Sequence, residues 1–245
     1  VGTRDSGRFN YHLDRLQGQF VRKTETGYAL RYPGTLLYRM ILAGYFTSRA
    51  EVAPFGTGGT CFECGAELRA AYDDGTLRIE CPDCGREYQN TDFPPSGATD
   101  RSGEDLLFAF DQYVRHQVLL IARGICYWCT GPMAPEVQRR TDSGLAPEDG
   151  EVVFLARACE HCNGFMFTLP GECVLYHPAV VSFFHERGVD VTERPLWELE
   201  FVSDPARTTV HDEEPWRIGV TVACDGDEME VVIDGAGEVV TIEDR

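Results

Sequence analysis

Apolar residues recur along this chain with two different periods, and the change of period marks its organisation. Near the start, Phe9, Leu13, Leu16 and Phe20 are spaced by four, three and four residues. That is the period of one helix face, and it predicts an amphipathic helix over residues 6–17, with Asp5 or Ser6 as its N-cap. Residues 21–24 and 28–32 then alternate around Glu25-Thr26-Gly27, a hairpin pattern. Residues 36–46 are apolar nearly all round, with Arg39 as the one charge, which predicts a helix buried on two sides. Residues 47–60, with Pro54, Gly56, Gly58 and Gly59, read as a linker.

Period two returns over residues 67–72 and 76–80, around an Asp73-Asp74-Gly75 turn. Helical period returns over residues 104–123, where Leu106, Phe110, Val114, Val118 and Ile121 form a wide stripe; Thr99 or Ser102 would cap this helix and Gly124 would stop it. Strands are predicted at residues 152–157 and 165–169, followed by a short helix over 179–187 that ends at Gly188. Residues 197–203, 216–223, 228–233 and 238–242 alternate well, with Asp225-Gly226-Asp227 and Asp234-Gly235 as turns, and predict a small antiparallel sheet.

The candidate chemistry lies between these elements. Cys61-Phe-Glu-Cys64, sixteen residues, then Cys81-Pro-Asp-Cys84 is the two-plus-two spacing of a tetrahedral four-thiolate metal site, for which zinc is the expected occupant. Each pair precedes a glycine, Gly65 or Gly85, which can take the positive φ that closes a tight knuckle. The pattern recurs as Cys126-Tyr-Trp-Cys129, twenty-nine residues, then Cys159-Glu-His-Cys162. This second ribbon would carry a polar insertion over residues 130–150. Two zinc ions are expected, both structural, because four thiolates leave no open position for water or substrate. The rival reading of Cys-x-x-Cys, a thiol oxidoreductase, predicts one pair at a strand-to-helix junction instead of two sets of two. His161 and His177 are not needed as ligands; His12 reads as packing, His116 as surface, and Cys173 and Cys224 as small apolar residues. Cys-x-x-Cys-Gly followed by Cys-Pro-x-Cys-Gly resembles the zinc ribbons of transcription and translation proteins, a resemblance that covers residues 61–88.

Charge adds an asymmetry. The 245 residues carry a formal charge of −18, and of the 22 basic residues only Lys23 is a lysine. That composition is similar to proteins of extremely halophilic archaea, whose acidic surfaces stay solvated in concentrated salt. Residues 1–50 run against it, with eight Arg or Lys against three acids, a balance of +5 that leaves −23 for the rest. A basic segment on an acidic body is a candidate nucleic-acid footprint. On the predicted first helix, Arg8, Asn10, Tyr11 and Arg15 can reach phosphates or base edges, with Arg22 and Lys23 on the hairpin. The competing reading is a solvated amphipathic helix packed on its neighbour.

The run from Arg4 through Leu16, then Phe20-Val21-Arg22-Lys23, then Gly27-Tyr28-Ala29-Leu30 resembles the recognition helix and wing of arsenical-repressor-like winged helix-turn-helix regulators, in the version common in haloarchaea. The resemblance spans about residues 1–45. It implies a helix that enters the DNA major groove, a wing strand returning through Gly27-Tyr28, and dimerisation through the following helix. The two helices that precede the recognition helix in that family are missing before Val1, which points to an N-terminally truncated unit, and no cysteine lies here for a family-type metal sensor.

The sequence therefore predicts an α+β chain: a partial winged helix (residues 1–46), a linker (47–60), a first zinc ribbon (61–93), a connecting helix (102–124), a second ribbon with its following helix (125–190), and a C-terminal β unit (195–245). No Gly-rich phosphate loop, Gly-x-Ser-x-Gly elbow or His-Glu-x-x-His helix occurs, so no enzyme is expected. There is no apolar run of spanning length and no signal-peptide pattern, and paired knuckles call for reduced thiols, so a cytoplasmic address without membrane partners is expected. The expected function is DNA binding in transcription regulation, with double-stranded DNA as partner, a homodimer as the working state and a protein partner for the ribbons. The alternative is a zinc-ribbon interaction module without DNA binding.

Overall fold

The first helix, α1 (Ser6–Leu16), leads into a two-stranded hairpin of β1 (Val21–Thr24) and β2 (Gly27–Leu30), in which Val21 pairs with Leu30 and Thr24 with Gly27. This computed structural model describes residues 6–141 and 151–244. The Asp5 cap and most of the polar insertion after Arg140 therefore lie outside the described residues. Helix α2 (Tyr32–Leu42) follows with Pro33 in its first turn, where a missing N–H costs nothing. Its expected burial on two sides is not found. Leu42 is 66 % exposed, Leu36, Tyr38 and Ile41 are also exposed, and among helix residues only Gly34 is buried. Hydropathy identified the apolar surface but carries no information on what covers it.

The next surprise is local. Val52–Thr60, inside the expected linker, is a strand, β3, at one edge of a four-stranded antiparallel sheet ordered β3-β4-β5-β6, with β4 (Glu67–Asp73), β5 (Thr76–Glu80) and β6 (Glu87–Asp92). Its pairing with β4 slips between Val52 and Phe55 and between Gly56 and Thr60. Pro54 and the glycines sit at those irregularities, so an edge strand that tolerates them carries the composition of a loop.

A short helix α3 (Pro95–Thr99) precedes α4 (Gly103–Ala122), which buries the expected stripe of Leu106, Phe110, Val114, Val118 and Ile121. Its interior also holds an ion pair: Arg115 Nε donates to Asp111 Oδ2 at 2.6 Å, both side chains being 4 % exposed. The same arginine donates to the carbonyls of Val191 and Arg194, while Leu196 N donates to Asp111 Oδ1 at 2.9 Å. These bonds fasten α4 to the chain 76 to 85 residues later.

A three-stranded sheet follows, β7 (Met133–Arg140), β8 (Val152–Cys159) and β9 (Phe165–Thr168), with β8 in the middle and almost wholly buried. Strand β7 occupies part of the segment expected as an insertion; its exposed, polar, Pro135-bearing pattern gave no period-two signal. Helices α5 (Pro170–Val174) and α6 (Pro178–Glu186) then lead to a second correction. Residues 197–203, expected as a strand, form a 3-10 turn at Leu196–Glu198 and the short helix α7 (Glu200–Ser203). The run Trp-Glu-Leu-Glu-Phe imitates alternation, but Leu196, Trp197, Leu199, Phe201 and Val202 are all buried, which no half-exposed strand allows. The chain ends in a meander of β10 (Thr208–Glu213), β11 (Trp216–Cys224), β12 (Asp227–Ile233) and β13 (Val239–Asp244). The Asp225-Gly226 turn has positive φ at both residues, 53° and 89°, as a two-residue hairpin demands.

One continuous apolar core joins Leu68, Tyr72 and Ile79 of the first sheet, Leu106, Phe110, Val114 and Val118 of α4, Leu155 of the second sheet and Val220 and Val231 of the meander. The units expected at 61–93, 102–124, 125–190 and 195–245 thus share a core. Buried Arg157 makes part of this join, donating from Nη2 to the Ala236 carbonyl at 2.7 Å. The architecture is α+β, with several small antiparallel sheets and two cysteine clusters consistent with zinc ribbons. No helix among the described residues is long and apolar enough to cross a membrane.

Candidate metal centres

The four Cys-x-x-Cys segments fold alike, because the same pair of backbone bonds closes each one. In the first, Cys61 N donates to Ala66 O at 2.8 Å and Gly65 N to Cys61 O at 2.9 Å; in the second, Cys81 N donates to Arg86 O at 2.9 Å and Gly85 N to Cys81 O at 3.0 Å. Cys126 N to Gly131 O and Thr130 N to Cys126 O repeat this in the third, as do Cys159 N to Gly164 O and Asn163 N to Cys159 O in the fourth. The closing residue takes positive φ every time: Gly65 at 76°, Gly85 at 74°, Thr130 at 59° and Asn163 at 57°.

These knuckles bring the cysteines together as the spacing predicts. Cys61, Cys64, Cys81 and Cys84 form one cluster and Cys126, Cys129, Cys159 and Cys162 the other, with all four sulfurs of each set within 4.8 Å of one another. The shortest separations are 3.6 Å for Cys61 to Cys84, 3.4 Å for Cys64 to Cys81, 3.6 Å for Cys126 to Cys162 and 3.5 Å for Cys129 to Cys159. A disulfide would need about 2.05 Å. Four sulfurs at about 2.3 Å from a central ion stand about 3.8 Å apart along the tetrahedral edges, so the observed spacing fits a metal. Both clusters can each hold one metal ion. In the second, a side chain at Gly131 would come within 3.2 Å of Cys129 Sγ and Cys159 Sγ, and one at Gly164 within 3.2 Å of Cys162 Sγ. The absence of side chains there leaves the sulfurs room to converge.

Electrostatics argues the same way. Burial pushes the Cys61 thiol up, but the Tyr88 hydroxyl and the Cys64 and Glu63 amides bring it down to about 6. The His161 and Cys162 amides bring Cys159 to about 6 as well. Cys64 and Cys129 go the other way, to about 12: the Ala66 and Gly131 amides favour their thiolates, but the neighbouring sulfurs outweigh them. Each cluster therefore pairs one sulfur that ionises readily with neighbours that favour the thiol, which a cation among them would reverse.

Residues outside the cysteine pattern complete the first centre. Tyr88 Oη donates to Cys61 Sγ at 3.4 Å and accepts from Phe62 N at 2.7 Å. Arg86, one residue past the second knuckle, donates to Asp204 Oδ1 at 2.9 Å and to Glu63 Oε2 at 3.4 Å, tying the knuckle to the segment after α7. Sequence reasoning missed both; an aromatic hydroxyl four residues after Cys84 was the available signal. At the second centre Trp128 stands 53 % exposed at the knuckle tip. His161 lies beside Gly131, and His177 instead caps α6, accepting from Ala179 N at 3.3 Å.

The residues predicted to contact DNA lie elsewhere. Arg8, Asn10, Tyr11 and Arg15 are exposed on α1, and Arg22 and Lys23 are exposed on β1, opposite Ala29 and Tyr28. Arg15 Nη2 donates to Tyr11 Oη at 3.1 Å and its guanidinium lies over the Tyr11 ring.

Two knuckles per centre, each centre backed by a small antiparallel sheet, define this chain as one with two four-cysteine metal-binding clusters. It belongs to the family described as "Domain of unknown function (DUF7351)", whose model matches residues 58–239, the span of the shared core and both clusters. A second model, "Domain of unknown function (DUF7347)", matches residues 1–41, which hold α1, the hairpin and most of α2. No curated protein and no solved structure matches.

Proposed function

We propose that the chain is a DNA-binding regulator of transcription, acting in the cytoplasm as a homodimer, with one structural zinc ion in each cysteine cluster. The observation that carries this is the helix-hairpin pair at the start. All six candidate residues, Arg8, Asn10, Tyr11, Arg15, Arg22 and Lys23, are exposed on two adjoining elements of the one net-positive segment. An amphipathic helix followed by a two-stranded wing is the geometry with which winged helices read a major groove and touch the flanking backbone. The exposed apolar face of α2 supports the dimer, as an isologous contact through one helix would bury it in both copies. Zinc is favoured because four thiolates in tetrahedral array select it or an iron-sulfur centre, and each cluster has the size of a single ion. With no open position in either set, the centres hold structure and perform no reaction.

Fluorescence anisotropy with duplexes from the region upstream of the protein's own gene tests this. Arg8→Ala or Asn10→Ala is expected to reduce discrimination between sites by about 1 to 3 kcal/mol, the worth of a bidentate base contact. Lys23→Ala should weaken all duplexes about equally and flatten the salt dependence, as loss of a phosphate contact does. If no duplex binds at any salt at which the protein stays folded, the regulator reading fails and a zinc-ribbon interaction module takes its place.

A further inference from the structure

A cleft of about 390 Å³ runs between the two ribbons, with one face of α4 as its floor. Five consecutive residues of the first sheet line it, 87–91, and four of the second, 165–168, with Leu169 just beyond. Side chains alternate faces along a strand, so a cleft lined by consecutive residues is one to which the strand presents its edge. The topology agrees: β6 is the last strand of its sheet and β9 the last of the other. Two strand edges therefore face the same space.

The chain treats its edges unequally. The outer edge of the first sheet, β3, carries Pro54 and two register slips, and the outer edge of the second, β7, carries Pro135. Prolines and bulges are the usual means of stopping an edge from pairing with another chain. Strands β6 and β9 contain no proline, and β9 pairs with β8 without a slip. Of the four edges of these two sheets, the two without proline face the cleft, and β6 slips once against β5, between Glu87 and Gln89.

Inside it, Gln117 of α4 is 3 % exposed and its Oε1 has no hydrogen-bond donor. A buried carbonyl oxygen left so costs free energy, and this one is closed to solvent as well. Phe154, Phe165 and Phe167 give apolar wall, with Phe165 47 % exposed and the Arg140 guanidinium 4.7 Å from the Phe167 ring centre. Glu87 lines the cleft too, on a body of formal charge −23 over residues 51–245.

From these observations we infer that the cleft binds an extended peptide segment of a partner protein, alternately apolar and basic, which adds a strand to the β6 or β9 edge. Main-chain pairing gives affinity in such complexes, and pockets for alternate side chains give specificity. At about 3.3 Å per residue, β9 and β6 offer ladders for segments of about four to six residues. Charge decides against the other occupant that aromatic walls attract, a single-stranded nucleic acid, since the acidic body repels phosphates. The inference does not rest on DNA binding by α1, and its probe is a peptide, not a duplex.

The probe is a capped hexapeptide alternating valine and lysine, followed by amide hydrogen exchange and backbone chemical shifts. Three controls accompany it: valine alternating with glutamate, the valine-lysine peptide N-methylated at alternate amides, and an oligothymidylate. Binding is expected to slow exchange of the outward amides of residues 87–91 and 165–168 by tenfold or more. The N-methylated peptide has the same charge but cannot pair, so it should give no protection there. Equal binding of the N-methylated or glutamate peptide, protection confined to other strands, protection by oligothymidylate instead, or no binding by the lysine peptide would each overturn the inference.

Discussion

The two metal centres have the same ligand set and the same knuckle hydrogen bonds, yet the protein supports them differently. At the first, Cys61 and Cys81 belong to the main apolar core, Tyr88 bonds to a ligand sulfur, Arg86 fastens the second knuckle to Asp204, and glycines close both turns. At the second, Cys126 and Cys159 sit in a small separate cluster with Ile121 and Met133, and Thr130 and Asn163 close the turns. A thiolate tetrahedron specifies a ligand geometry but not how much of the surrounding order the metal must supply. The first centre shares that task with a four-stranded sheet and a large core. The second, with three strands and a handful of apolar contacts, leaves more of it to the ion.

The largest effect should come from the metal itself. Native mass spectrometry under reducing conditions is expected to find two zinc ions per chain. Structural zinc is worth about 10 to 16 kcal/mol in small ribbons, comparable with the whole stability of a domain, about 5 to 15 kcal/mol. Chelation should therefore unfold both knuckle pairs. Single substitutions separate them: Cys126→Ser should release one ion and abolish amide protection over residues 126–140 and 158–166 while the main core stays folded. Cys81→Ser should release the other and lower the melting temperature of the entire body. Equal global losses from the two variants would break the comparison.

A pH titration sharpens it at the shoulder where the second sheet meets the core. Glu172 Oε2 accepts from Leu169 N at 2.7 Å at the end of β9. Burial pushes its carboxyl up to about 7, against that one bond, which pulls it down. The folded pKa is thus above the unfolded value of about 4.5, so the folded state keeps a proton that the unfolded state gives up. Stability from this group is fully present below about pH 4.5, falls as pH rises through 7, and is flat above. The loss is on the order of 2 kcal/mol once solvent access to the cleft is allowed for. Glu172→Gln keeps an acceptor for Leu169 and should flatten the denaturation midpoint between pH 5 and 8, with protection of β9 regained first.

Tyr88→Phe probes the first centre's own support. It removes the hydroxyl that bridges Phe62 N and Cys61 Sγ, at a cost of about 1.5 kcal/mol. The thiol of Cys61 should also become harder to ionise, so zinc should be released at a higher pH as the protein is acidified. An unchanged release midpoint would remove Tyr88 from the account of the first centre.

Both clusters were legible because spacing and local turn chemistry fix them: Cys-x-x-Cys specifies a knuckle in either context, and two knuckles per sheet fix the partners. The long α4 was legible for a similar reason, since twenty residues of one period outweigh local exceptions. What failed depended on tertiary context. Pro54 and three glycines made β3 look like linker because its bulged edge accepts them. Trp197 to Phe201 alternated by accident in a short helical segment whose flanking Leu196 and Val202 are buried as well. The sharing of one core by all the small units was invisible, since contacts such as Arg157 to Ala236 and Arg115 to Arg194 join residues roughly eighty positions apart. Exposed α1 matched its expected span, but exposure alone does not say what those side chains touch.

The smallest predicted effect is also the most direct comparison of the two centres. Thr130 holds φ at 59°, where a β-branched residue pays about 1 to 2 kcal/mol, and its Oγ1 recovers part of that by donating to the Cys129 carbonyl at 2.7 Å. Thr130→Gly would relieve the strain but lose the bond and add unfolded-state entropy worth about 0.5 to 1 kcal/mol, leaving a net gain of about 0.5 kcal/mol. Asn163→Gly should be nearly neutral, since asparagine enters this region at little cost. The reciprocal change is cleaner. A side chain at Gly65 would meet nothing within 4 Å, so Gly65→Ala measures the backbone cost alone, about 1 kcal/mol, without a clash. Denaturant midpoints of Thr130→Gly, Asn163→Gly and Gly65→Ala in zinc-saturated protein should therefore rise, stay level and fall, in that order. Should Thr130→Gly fall as well, the threonine hydroxyl outweighs the strain, and the second centre would be as well supported at its turns as the first.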